Sequence, residues 1–559
     1  MKTTKKLLRS ILIIAILVSL CLTSALAAGN NTVTISSETS GHTYRAYQVF
    51  AGTYETASAK LTNVTWGSGV NSANLLTALK ANATYGSSFS ACTTAAEVAS
   101  VISTNYSTNS AFASAFAKLA AANTSATHTD SGTPTGTGPY TYTITGLNDG
   151  YYFVTEAAFG GTVDNAYTKY ILQVVNNVTI NAKTDKPAIA LKVLENNDAT
   201  YKNTWNDAAD YSIGSSVPYR IVSIVPDMTY FDTYYYQITD SISSGSTYDA
   251  GSAKVYYVPS GSTMYDLETA SATGAGGTLL TSGYTVAQTA GGFTVTFSDL
   301  SNTSGVPALG DGYIVVEYTA KLNSNATVQV PSNPGNPTEV YLTYSNNPNN
   351  ADGTGTGVTP KDEVVVYTFR LPISKVDGSA VPLSLTGATF AIFTSQTDAQ
   401  TAAADPATAA NFATAITFSG SAGSYIRSTT GSYTLADNGA GSYAIDGLDQ
   451  GTYYLVEIAA PAGYNRVTDP VTVTIDPTYN DGSRSSTYVD GHIPDATVDQ
   501  LTAVSINGGT LLTVINLAGV TLPETGGVGT KAFVVGGLAL MLLALVIVII
   551  RKKASTQKN

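Results

Sequence analysis

The run "YAIDGLDQGTYYLVE", Tyr443–Glu457, decides the fold, because the chain contains it twice. "YTITGLNDGYYFVTE", Tyr142–Glu156, matches it without a gap 301 residues earlier, as Y-x-I-x-G-L-x-x-G-x-Y-x-x-x-E. In each copy two apolar runs flank a glycine-marked turn, the pattern of two strands joined tightly. Strand side chains alternate between faces, so Tyr453, Leu455 and Glu457 point the same way. A carboxylate thus lies in line with side chains that belong to a core. A repeat at this spacing implies two related sandwich domains flanking a third.

The bulk numbers agree. A chain of 559 residues is too long for one ordinary domain and suits three. Only 12% of residues are charged, yet 36 tyrosines and an apolar content of 43% exclude disorder. Many short alternating runs are separated by Gly, Asn, Asp and Ser, which favours an all-β fold of tandem immunoglobulin-like β-sandwiches. The net charge of −12, with no basic stripe, argues against nucleic acid as a partner. Two cysteines occur, and Cys21 falls in the N-terminal apolar run. Cys92 is then alone in the mature chain and no intrachain disulfide forms. Three histidines without a Cys/His cluster point to no zinc or redox centre, and no EF-hand-like loop is present; whether loop oxygens hold calcium is left open. No cofactor is expected.

Both ends read as addresses. Lys2, Lys5, Lys6 and Arg9 precede an apolar run and a small-residue cleavage site near Ala27 or Ala28, so residues 1–28 form a signal peptide, with an uncleaved anchor as the alternative. At the other end, "LPETG" (Leu522, Pro523, Glu524, Thr525, Gly526) precedes an uncharged span, 532–550, and then Arg551, Lys552 and Lys553. Nineteen helical residues cover roughly 28 Å, enough for a bilayer core. The basic tail holds that end in the cytoplasm.

Composition sets the remaining boundaries. An N-terminal domain covers 29–185, a middle domain 186–363 and a C-terminal domain 364–520, followed by the terminal signal 521–559. In the first domain, "NSAFASAFAKLAAA" places Phe112, Phe116 and Leu119 on one helix face. An Ala-rich insertion at 395–418 predicts a short helix starting at "DPATAA", capped by Asp405 with Pro406 in its first turn.

The same parity argument finds other polar residues on apolar faces. Leu371, Ile373 and Lys375 share a face near the start of the third domain, and Leu512, Val514 and Asn516 share one at its end. With Glu457 these converge if the first and last strands are neighbours. A buried Lys–Glu salt bridge or partly exposed edge positions is the structural alternative. The chemical one is an amide. Burial favours the neutral amine, a nucleophile, and the neutral carboxylic acid, which can hydrogen-bond the asparagine carbonyl and shuttle protons. Attack on the side-chain amide would expel ammonia.

These residues carry a resemblance. Motif, apolar span and basic tail, in this order, resemble the cell-wall sorting signal of Gram-positive surface proteins. "YYLVEIAAPAGY" resembles the E-box of Gram-positive pilins, and its domain a collagen-adhesin B-type domain. The resemblance implies cleavage by a sortase between Thr525 and Gly526, transfer of the Thr525 acyl group to an amine, and a Lys375–Asn516 isopeptide bond promoted by catalytic Glu457. The middle domain resembles the collagen-adhesin A-like type, which implies a second set: Lys192, Asn346 and the acid Asp240. Asn347 and Glu317 are alternatives there. "VTINAKTDKP" is similar to the pilin motif of backbone subunits, with Ala182 in place of the usual proline. It implies Lys183 as the receiving amine, with Lys186 the alternative. The first domain has Glu156 but neither PxGY nor an opening lysine, so no isopeptide bond is expected there.

The expected function is that of a major structural pilin, joined head to tail between Thr525 and Lys183. It is secreted, held transiently in the membrane and attached to the cell wall, and it supports surface adhesion. Its partners are identical subunits, pilin-type and housekeeping sortases, minor pilins and peptidoglycan. The alternative is a wall-anchored adhesin or tip pilin that does not polymerise. An enzyme is disfavoured, since no carboxylates pair in a glycosidase-like motif.

Overall fold

A computed structural model describes residues 29–37, 40–159, 169–174, 177–181, 187–197, 204–229, 231–261, 277–308, 310–328, 335–347, 355–480, 500–520 and 528–556. The segment 1–28, the junction residues Lys183 and Lys186, and Leu522–Gly526 lie outside the described residues. The chain is predominantly β-sheet. Its sheets pair as three plus five strands, seven plus seven, and five plus five, in chain order.

Each pair closes on its own core. Val33 and Ile35 meet Tyr44 and Val154 in the first sandwich. Leu191, Ile221 and Val316 meet Ile238, Val295 and Leu342 in the second. Leu371, Ile445 and Val514 meet Phe390, Leu455 and Val473 in the third. Alternating strands with one apolar face produce this layering directly.

The two repeat copies build the same substructure. In the first domain the opening strand Asn31–Ser37 pairs antiparallel with Tyr140–Leu147 and parallel with Val178–Asn181. In the third, Phe369–Asp377 pairs antiparallel with Ser442–Leu448 and parallel with Leu512–Asn516. The turn glycines Gly146 and Gly447 have φ of 75° and 89°, left-handed values that cost other residues energy.

Helices cover the outer face of the sheet that carries the repeat's glutamate strand. In the first domain Leu75, Leu79, Val98, Phe112 and Phe116 pack on Val49 and Phe153. Phe112 and Phe116 are buried on the helix Ser110–Ala122 and Leu119 is partly buried beside them. In the third domain the helix is Gln396–Ala404, upstream of the expected start at "DPATAA". Ser395 caps it by accepting from Asp398 N, and Asp405 closes its C-terminal end. Pro406 disfavours helical backbone at Asp405, so it stops this helix instead of starting one.

The middle and C-terminal domains share a strand. Asp362–Tyr367 pairs with Ala208–Asp210 and Asn336–Ser345 of the middle domain. Val364 and Val366 enter the middle core, while Val365 and Tyr367 enter the C-terminal one. The expected boundary at 363 falls inside this shared strand. The last described element is the 29-residue helix Val528–Thr556, whose apolar side chains, such as Phe533 and Leu540, are exposed. Its stretch Phe533–Lys553 is long and apolar enough to cross a membrane.

Candidate functional site

The first and last strands of the C-terminal domain are neighbours, with Lys375 opposite Val514 and Asp377 opposite Asn516. Lys375 and Asn516 therefore emerge on the same face, two positions apart. Glu457 reaches them from the facing sheet, where it sits opposite Phe390. All three side chains are buried, with Lys375 at 0% exposure.

Lys375 Nζ donates to Val514 O at 3.0 Å and lies 4.0 Å from Glu457 Oε1. Asn516 Nδ2 donates to Glu457 Oε1 and Oε2 at 3.1 and 3.0 Å, and to Asn465 O at 2.9 Å. Val467 N donates to Glu457 Oε2 at 2.7 Å. Loss of solvent lowers the Lys375 pKa, and the nearby Glu457 carboxylate only partly offsets this. The site thus offers an amine biased toward its nucleophilic form, an amide and a proton carrier in one dry pocket. One detail departs from expectation. The carboxylate meets the amide nitrogen, while Asn516 Oδ1 is buried without a hydrogen-bond partner.

The first domain uses the same frame differently. Ile35 lies opposite Tyr142 as Ile373 lies opposite Tyr443, so Ser37 occupies the register position of Lys375. Glu156 is buried, and His42 Nδ1 sits 2.6 Å from its Oε1. The imidazole stacks on Tyr44 and meets Tyr142 edge-on. No described lysine faces Glu156. The partner His42 was not legible in the repeat, because it comes from a strand outside the motif.

In the middle domain Lys192 and Asp240 pair with other side chains. Lys192 is buried and ion-paired with Asp207, a residue the sequence reading passed over. Asp240 lies opposite Val340 and accepts from Tyr318 OH at 2.7 Å. Asn346 stands six residues further along the Val340 strand, roughly 20 Å away at the usual strand rise. Lys192 shares its strand face with Ala190, which packs in a separate outer cluster, whereas Asp240 is in line with Ile238 and Ile242 in the inter-sheet core. Lys192 and Asp240 are thus in line with different packing clusters. Alternation showed that each side chain was buried, but not at which level or in which layer. Of the alternatives, Glu317 accepts from Arg220 Nη2 at 2.8 Å. Asp207 went unnoticed because it sits where the chain crosses between sheets, between Trp205–Asn206 and Ala208–Asp210, pieces too short to show alternation.

Residues 370–488 match the SpaA prealbumin-like fold domain, and residues 518–555 match the LPXTG cell wall anchor motif. The two matches fall on the domain that holds Lys375 and Glu457 and on the apolar helix that follows it. Together they define a cell-wall-anchored surface protein built from prealbumin-like, immunoglobulin-type domains. Among solved structures the chain is similar to the T6 backbone pilin of serotype M6 Streptococcus pyogenes, at 16% identity and TM-score 0.48, covering 88% of this chain and 99% of that one. It is also similar to the full-length major pilin SpaD from Corynebacterium diphtheriae, at 15% identity and TM-score 0.40, covering 88% and 98%. A third similar structure is BcpA, the major pilin subunit of Bacillus cereus, at 13% identity and TM-score 0.39, covering 88% and 100%. No curated protein matches the chain.

Proposed function

We propose that this chain is the major structural subunit of a covalently polymerised pilus on a Gram-positive cell. A sortase joins Thr525 of one copy to Lys183 of the next, and the basal copy is joined to peptidoglycan. Within each copy Lys375 and Asn516 form an amide, with Glu457 moving the proton and ammonia leaving. The only chemistry the chain performs on itself is this single turnover.

One observation carries this proposal. Lys375, Glu457 and Asn516 meet in a buried site between the first and last strands of the domain that precedes the sorting motif. Tension along a fibre would enter that domain at Phe369–Asp377 and leave beyond Asn516. An amide between the two strands would carry the load past the fold instead of through its hydrogen bonds. Such a device suits an extracellular fibre whose described cysteine, Cys92, is free and buried.

Fibres from cells expressing the full chain test the assembly. Wild type is expected to give a high-mass ladder that survives boiling in detergent, and Lys183→Ala to abolish it. A ladder that persists in Lys183→Ala overturns the linkage.

A further inference from the structure

The turn after Glu457 is tied to the chain that follows Asn516. Tyr464 N donates to Pro461 O at 3.1 Å, closing the turn. Asn465 N donates to Leu517 O, and Gly519 N to Gly463 O, both at 2.9 Å. These bonds present Asn465 O to the Asn516 amide nitrogen at 2.9 Å. Arg466 holds the turn from behind. Its Nη1 donates to Glu457 O and Val467 O at 3.2 and 3.3 Å, and its Nη2 to Ala403 O at 2.9 Å, at the end of the helix Gln396–Ala404.

A backbone carbonyl only accepts hydrogen bonds. Asn465 O therefore selects one of the two orientations of the Asn516 amide, the one that turns nitrogen toward Glu457. The opposite orientation would set Oδ1 against the carbonyl. The selected one leaves Oδ1 buried and unpartnered, a cost accepted in a site that is otherwise satisfied.

We infer that Arg466 is a positioning residue for amide formation: through the Asn465 carbonyl it fixes Asn516 Nδ2, beside Glu457, as the leaving group. This rests on the Lys375–Asn516 reaction proposed above. In that step a bond forms between Lys375 Nζ and Asn516 Cγ, and the Cγ–Nδ2 bond breaks. Glu457 carries the proton released by Nζ to Nδ2, which departs as ammonia.

The test is a double-mutant cycle on the full chain, following the joined Lys375–Asn516 peptide by mass spectrometry during cell-free synthesis. Arg466→Ala is expected to slow joining about tenfold in the wild-type background. In the Asn516→Asp background, where the side chain loses water and has no N–H for the carbonyl, Arg466→Ala is expected to leave the rate unchanged. Equal slowing in both backgrounds, or slowing in neither, overturns the inference. Should Arg466→Ala fail to fold, Arg466→Lys, which keeps a donor of shorter reach, enters the same cycle with the same two outcomes. If the wild type itself yields no joined peptide, the underlying reaction is wrong, and Arg466 has nothing to position.

Discussion

Lys375 Nζ and Glu457 Oε1 lie 4.0 Å apart across the C-terminal sandwich, with neither side chain reaching solvent. As an ion pair this arrangement would be a poor source of stability, since desolvation of both charges consumes the Coulomb gain. As a stage in amide formation it is coherent, because burial weakens the proton's hold on Lys375 and Asn516 completes the group.

Glu457→Gln keeps the shape of the site but removes its proton carrier. The variant is expected to retain the unmodified mass of its sequence and to lose thermal and protease resistance. Closing a loop of about 141 residues is worth about 5 kcal/mol on the disulfide loop-entropy scale, which sets the size of the effect. Melting curves of wild type and variant measure it. Equal melting temperatures would contradict it.

The middle domain should respond to pH through Asp240. Burial pushes its carboxyl up to about 7, although the Tyr318 hydrogen bond pulls the other way. In the unfolded chain an aspartate titrates near 3.9. Between those values the folded state binds the extra proton, so this group's stabilising contribution is complete below about pH 4 and is lost as pH rises through about 7. Asp240→Asn is expected to flatten that slope. Denaturation midpoints at pH 5 and pH 8 for both proteins check it.

His42→Ala should weaken the first domain without changing any covalent bond. It takes the imidazole away from the buried Glu156 carboxylate, at a cost of about 1–3 kcal/mol. Hydrogen exchange should rise in residues 31–37 and 140–147 and stay unchanged in residues 369–377. A loss of protection spread evenly over all three domains would count against the placement of this pair.

The contrast between the two outer domains and the middle one explains what the sequence could convey. Around Glu457, Lys375 and Asn516 alternation sufficed, because all three side chains face one core and the end strands are neighbours. The repeat added a control, for Glu156 keeps the pattern while Ser37 stands where the lysine would be. Around Asp240 the same alternation identified a buried carboxyl, but its hydrogen-bond partner Tyr318 comes from the facing sheet. Face is a local property of a strand, whereas level and layer depend on pairing register and on the sheet crossing at Asp207. The roles of Asn465 and Arg466 were illegible for a related reason. They act through backbone carbonyls and through bonds to Leu517 and Ala403, which come together only on folding.

The most direct measurement is tandem mass spectrometry of the mature full chain after proteolysis. One branched peptide linking Lys375 to Asn516 is expected, lighter than its two parts by one ammonia, about 17 Da. Recovery of Lys375 and Asn516 in separate peptides of unmodified mass would contradict it.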